Sequence, residues 1–259
     1  MDERQVSLRR EGATAFVTLS NAGRLNAMTR GMWRQLRAVF DGIARAPDDG
    51  LRCVVVRGEG GAFCAGGDIS EYPSFRFGEA TLREFHESDV WGALQAVLDC
   101  PLPVVAQIEG ACMGAGIEIA SCCDIRLAGA SARFGAPIAK LGFPMAPREA
   151  ALVHAAIGDV LARDMLLAAG VHGAQRLYDA GFLLQVLPDN EVVAGAEAHA
   201  VRIVALAPQA ARLHKHTFAM LKAGAQSTNT LLASAYDYAD SVEHREGIDA
   251  FLAKRKPNF

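Results

Sequence analysis

The chain has 259 residues, 51% hydrophobic and 21% charged, and its 26 Lys and Arg against 29 Asp and Glu leave a formal charge of −3. This is the balance of a globular protein and excludes a disordered or disulfide-stapled chain. It also lacks the Lys/Arg stripe that duplex nucleic-acid binding requires. At ~150 residues per domain the length gives one to two units, enough for a large core with a smaller appendage. Cys53, Cys64, Cys100, Cys112, Cys122 and Cys123 form no C-x-x-C pair and read as buried free thiols. Met1-Asp2-Glu3-Arg4 is acidic with no apolar block behind it, so neither a signal nor a transit peptide is expected. With free thiols this points to the cytoplasm. The longest apolar stretch, Val104 to Cys123, contains Gln107, Glu109 and Glu118. Carboxylates are costly in lipid, so the stretch reads as core and no membrane association is expected.

Gln5 to Ser20 splits at Glu11-Gly12 into two runs with apolar residues at near-alternate positions, as in a hairpin. From Thr29 to Ala46, Met32, Leu36, Val39, Phe40 and Ile43 fall at three- and four-residue spacing, which predicts an amphipathic helix stopped by Pro47. Arg52 to Arg57 and Pro103 to Ile108 are short β-branched runs ended by glycines, and both read as buried parallel strands. The helical pattern from Ala80 to Leu98 lies between them, and this β-α-β alternation predicts a largely parallel sheet with crossover helices. Beyond Pro144 helices are predicted over 147–157, 159–169, 173–180, 190–206, 209–224 and 228–253, with one strand at Leu183 to Leu187.

Two glycine-rich segments follow buried strands, where open α/β sheets place their ligands. They are Ala62-Phe-Cys-Ala-Gly-Gly-Asp-Ile69 and Gly110-Ala-Cys-Met-Gly-Ala-Gly-Ile-Glu118. Neither has the dinucleotide or Walker spacing. In the second, Gly114, Ala115 and Gly116 would open a helix whose first N–H groups have no internal partner and can receive an oxyanion. Glu118, one turn in, is the sole ionisable group among apolar neighbours. Desolvation would raise its pKa and suit it to general acid or base work. His214 and His216 point to different helix faces, so no metal site is expected. No nucleophile-elbow motif is present.

Phe63-Cys-Ala-Gly-Gly-Asp68, Pro103-Val-Val-Ala-Gln-Ile-Glu-Gly110 with Gly114-Ala-Gly-Ile-Glu118, Cys123-Asp-Ile-Arg-Leu-Ala128 and Ala132-Arg-Phe-Gly135, in this order, resemble the crotonase (enoyl-CoA hydratase/isomerase) family. The resemblance runs from Gly23-Arg-Leu-Asn-Ala-Met28 to the C-terminal Arg245 to Phe259. It implies an α/β fold with a ββα spiral core over 1–200 and a helical trimerisation region over 201–259. It further implies a homotrimer or dimer of trimers, and a coenzyme A thioester as substrate with no separate cofactor, as in fatty acid metabolism. The acyl carbonyl would lie between the N–H groups of Gly67 and Ala115. Substrate contacts implied are Ala65, Gly67, Asp68, Ile69 and Ser70, with Ala115, Arg24 near the phosphates, and Phe251 with Lys254 from this or a neighbouring copy. At Ser70 hydratases often carry lysine.

In the family's hydratases two glutamates flank the acyl double bond, and the first matches Glu118. Ile138 stands where the second is expected, and isoleucine cannot transfer a proton. Hydration or isomerisation of an enoyl-CoA is the leading expectation. Decarboxylation, C–C cleavage or a non-catalytic acyl-CoA-binding role are the alternatives. A substitute acid is sought among Glu71, Tyr72, Glu84, His86, Glu87 and Asp89, with His86 foremost because its ordinary pKa suits proton transfer. Glu149, following Pro147, reads as a helix first turn complementing the dipole. Asp68 and Asp124 read as backbone-bonding residues.

Overall fold

The structure, a computed structural model, describes residues 4–46, 49–222, 229 and 231–259. Strand β1 (Arg4–Glu11) pairs antiparallel with β2 (Thr14–Asn21), giving the expected hairpin. Helix α1 (Arg30–Arg45) starts where the Thr29 side chain accepts the Met32 N–H, and it buries Met32, Trp33, Leu36, Phe40 and Ile43 as the spacing predicted. The predicted stop at Pro47 and the acidic Met1 to Glu3 lie outside the described residues. After β3 (Cys53–Gly58), a 3₁₀ turn (Ile69–Ser74) leads to α2 (Glu79–Glu84), a π turn (Phe85–Val90) and α3 (Trp91–Leu98). The helix predicted from Ala80 to Leu98 is thus one helical run with a wider turn in its middle, a feature that apolar spacing does not signal.

Then come β4 (Val104–Ile108), β5 (Ala111–Met113), α4 (Ala115–Cys122), β6 (Ile125–Gly129) and β7 (Arg133–Gly135). A 3₁₀ turn (Pro137–Leu141) precedes α5 (Pro147–Ile157) and α6 (Asp159–Leu167). The chain continues through β8 (Val171–Gly173), α7 (Ala174–Asp179), β9 (Gln185–Leu187), α8 (Val192–Val204), α9 (Pro208–Lys222) and α10 (Val242–Leu252). Turns rather than helix occupy 233–240, so the segment predicted as 228–253 is helical chiefly at its end; the junction with 209–224 falls on 223–228 and 230, outside the described residues. Strand β8 corrects the expectation of one strand after Pro144; three residues are too few for a period to show.

A six-stranded sheet runs β1-β2-β3-β4-β6-β9, parallel from β2 onward. A second, three-stranded sheet runs β5-β7-β8, and single bridges join Met28 to Gly67 and Cys64 to Cys112 in parallel. Each turn of the chain therefore adds a long strand to the first sheet, a short segment to the second layer and then a helix: β2, Met28 and α1; β3, 64–67 and 79–98; β4, β5 and α4; β6, β7 and α5. This is the ββα spiral. Val54, Val56, Val104 and Ala106 face one core, whereas Phe16, Val55, Val105 and Leu127 face a second, closed by Ala196 and Ala200 of α8. Burial on both faces accounts for the unbroken β-branched runs. Val104 to Cys123 is divided among β4, β5 and α4, and no helix among the described residues is long and apolar enough to cross a membrane.

Candidate active site

The two glycine segments meet in the second layer. Met28 donates to the Gly66 carbonyl at 2.7 Å and accepts from the Asp68 N–H at 2.8 Å; Cys64 donates to Ala111 and accepts from Met113, each at 2.8 Å. This pairing engages neither the Gly67 nor the Ala115 N–H. Ala115 is the first residue of α4, so its amide has no acceptor within the helix either. Gly114 caps α4 at φ 47° and ψ −110°, a conformation disfavoured for residues with a Cβ, and a Cβ there would lie 3.5 Å from the Gly66 Cα. The two chains thus touch, and both amides lie on the wall of one cavity of about 320 Å³. Gly67 admits no side chain because the Tyr72 hydroxyl occupies that space.

Of the expected site residues, Ala65, Gly67, Ile69, Ala115 and Glu118 line this cavity, as does Ile138. Asp68 is buried behind the wall, where its carboxylate accepts from the Ser70 hydroxyl at 2.6 Å and the Ser70 N–H at 3.1 Å. Burial acts to raise its pKa, but these bonds, one from Asn21 and the charge of Arg24 hold it below the ordinary value. Arg24 and Ser70 are exposed beside it. Phe251 is 82% exposed, and neither it nor Lys254 lines the cavity. Asp124 accepts from the Val104 N–H at 2.7 Å and pairs with Lys215 at 2.8 Å, the backbone role that the sequence predicted.

Glu118 has apolar surroundings with part of its surface open to the cavity. Burial, then the negative charge of Glu149, pushes its pKa up to about 8. Glu149 stands in the first turn of α5 behind Pro147, as expected, and it is also 2% exposed and lines the same cavity. Its Oε1 lies 3.1 Å from Nδ1 of His86, which projects from the π turn and is 19% exposed. Three proton-transfer groups from α4, α5 and the π turn thus share one cavity. The remaining candidates are committed elsewhere. Glu71 accepts the Arg30 N–H at 2.8 Å, Asp89 bonds Arg30 and Arg34, Glu84 lies 3.6 Å from Arg30, and Glu87 lies 3.5 Å from Arg148. Tyr72 lines the cavity, and burial pushes its pKa up to about 12, which keeps it a neutral donor. Trp33, Phe85, Val90, Met113, Phe143 and Met145 supply the apolar walls.

Glu149, a carboxylate close to Ile138 in the sequence, reads there as a structural first-turn acid; its place on the cavity wall depends on how α5 packs, which the sequence pattern does not signal.

The chain resembles the 2,3-dehydroadipyl-CoA hydratase of Escherichia coli, with 33% identity over 259 residues and 96% of each chain covered. Among solved structures it superposes on an enoyl-CoA hydratase/carnithine racemase from Magnetospirillum magneticum with TM-score 0.91, 36% identity, and 98% and 94% of the two chains covered. It also superposes on Pseudomonas aeruginosa DspI with TM-score 0.88, 27% identity, and 98% and 96% coverage. The enoyl-CoA hydratase/isomerase family model matches residues 9–259, and with the spiral fold this places the chain in that family.

Proposed function

We propose that this protein hydrates an enoyl-CoA thioester, using Glu118 and Glu149 as its acid and base. The observation that carries this reading is the pair of carboxyls, Glu118 and buried Glu149, on one cavity, with the Gly67 and Ala115 N–H groups in its wall donating to no backbone carbonyl among the described residues. The thioester oxygen accepts from Gly67 and Ala115. The enolate oxygen gains charge during reaction, so donors fixed in place favour the transition state over the ground state. Glu149, hydrogen-bonded to His86, takes a proton from water, and the hydroxide oxygen bonds to Cβ. The double-bond electrons pass to the thioester oxygen as an enolate. Glu118, held protonated by burial and by the charge opposite, then gives its proton to Cα as the carbonyl reforms. One water is added, and the two carboxyls have exchanged protonation states, which solvent resets.

Glu149 supplies from α5 what Ile138 cannot, which favours hydration over the one-carboxylate reactions. The chemistry needs no cofactor beyond the CoA carried by the substrate. Ile69 lines the cavity, with Asp68 and Ser70 on either side of it in the chain and Arg24 within electrostatic reach of Asp68, and the nucleotide end of the ester would lie there. Phe251 and Lys254 would contribute from a neighbouring copy, in keeping with their distance from this cavity. The exposed apolar residues Phe218, Leu221, Val242, Ile248 and Leu252 of the C-terminal region favour a trimer or dimer of trimers. A cytoplasmic setting suits the six unbridged thiols.

The test is incubation with crotonyl-CoA and with a 3-enoyl-CoA, following double-bond absorbance and product mass together. Loss of conjugation with gain of one water from crotonyl-CoA is expected. A shifted double bond without mass change would assign isomerisation instead, and no turnover of either ester would overturn the reading.

A further inference from the structure

Two cationic residues of the cavity lining, Arg76 and Lys140, are not used by the proposed hydration. Arg76 follows the 3₁₀ turn at Ile69–Ser74 and lines the wall shared by Tyr72, Lys140 and Phe143. Its guanidinium carbon lies 3.5 Å from the Phe143 ring centroid and 4.6 Å from that of Tyr72. No carboxylate among the described residues lies within ion-pair distance of it; Glu149 attracts it from across the cavity but is bonded to His86. The neighbouring arginines are matched differently: Arg30 and Arg34 hold Asp89, and Arg148 lies 3.5 Å from Glu87. Burial is the largest influence on Arg76 and lowers its pKa, against the pull of Tyr72 and Glu149. Its charge has therefore lost hydration without gaining a bonded counter-ion. A guanidinium stacked on rings keeps its N–H edges free, and its planar fork matches a carboxylate in two-point contact.

We propose that Arg76, with Lys140 on the same wall, is a carboxylate receptor for the acyl chain, so that the preferred substrates are thioesters of dicarboxylic acids. This rests on the acyl-CoA reading above. The same chemistry would also suit a phosphate of CoA, but Arg76 lies against Tyr72 and Phe143 in the cavity lining, whereas Arg24 is exposed near Asp68 and does not line the cavity.

Calorimetric titration of the full chain with free CoA, pentanoyl-CoA, hexanoyl-CoA, glutaryl-CoA and adipyl-CoA separates these cases without requiring turnover. The dicarboxylic esters are expected to bind about ten- to a hundredfold more tightly than their monocarboxylic counterparts. Arg76→Met should bring that ratio close to one, and Arg76→Lys should retain part of it; thermal unfolding checks that both variants fold. A ratio near one in the native protein at both chain lengths would overturn the proposal. So would an equal loss for free CoA and every thioester in Arg76→Met, which would assign the contact to phosphate. If every thioester bound no better than free CoA, the acyl-CoA reading itself would fail; crotonyl-CoA turnover without dicarboxylic preference would spare that reading and remove only this inference.

Discussion

Asp89, in the π turn, and Glu149, reaching the same turn from α5, are both buried carboxylates, 6% and 2% exposed, yet their surroundings differ in kind. Asp89 receives Nε of Arg30 at 2.7 Å and Nε of Arg34 at 2.8 Å, so its charge is matched where it is buried. Glu149 has an imidazole at 3.1 Å and a second carboxyl, Glu118, within electrostatic reach. Matched burial fixes structure, because the oppositely charged partners lose water together. Where the charge is left unmatched it acts on its neighbours: burial and the charge of Glu149 raise the proton affinity of Glu118, and a carboxyl that holds its proton near neutral pH can donate one. The difference separates a structural acid from a reactive one where sequence shows only two acids in helical segments.

The contrast can be broken by substitution. The largest effect is expected at Glu118: Glu118→Gln should lower kcat on crotonyl-CoA by about 10²- to 10⁴-fold with thioester affinity retained, and near-native turnover would dismiss Glu118 as the acid. Asp89→Asn should act on stability instead. Arg34 would lose its bonded carboxylate and Arg30 would keep only Glu84 at 3.6 Å, costing about 3–5 kcal/mol in urea unfolding at neutral pH, and a loss below 1 kcal/mol would erase the distinction. Glu118 should also tilt stability with pH. Its folded pKa of about 8 lies above the ordinary 4.5, so the folded state keeps a proton that the unfolded chain releases. This contribution is fully present below about pH 4.5 and is lost as pH rises through about 8; Glu118→Gln should remove that part of the slope in pH-resolved unfolding. The smallest effect is expected for His86→Gln, which should lower kcat about tenfold by loosening Glu149, with little change in unfolding midpoint. Equal loss of stability and activity there would make His86 a packing residue.

The fold was legible wherever periods were long enough. α1 follows its three- and four-residue spacing, and β3 and β4 their β-branched runs, whereas β5, β7 and β8 have three residues each and form through partners far along the chain. The backbone of the cavity wall was equally legible, since Gly66-Gly67 and Gly114-Ala115 meet there through local geometry that glycine itself announces. Glu118 and His86 stood out in the sequence as well, but the pairing of His86 with Glu149 did not. His86 and Glu149 are 63 residues apart, and their meeting depends on the π turn that aims one and on the helix packing that buries the other. Arg76 likewise carries no signal in the sequence, because Phe143, which packs against it, comes from a later turn of the spiral.

The decisive relation is the one by which the charge of Glu149 raises the proton affinity of Glu118 on their shared cavity. Its most direct test is the titration of the Glu118 carboxyl by difference infrared spectroscopy, with Glu118→Gln as the subtraction and Glu149→Gln as the comparison. A transition near pH 8 in the native protein, moving to lower pH in Glu149→Gln, is the expected result. A transition in the ordinary carboxylate range in both proteins would contradict the account.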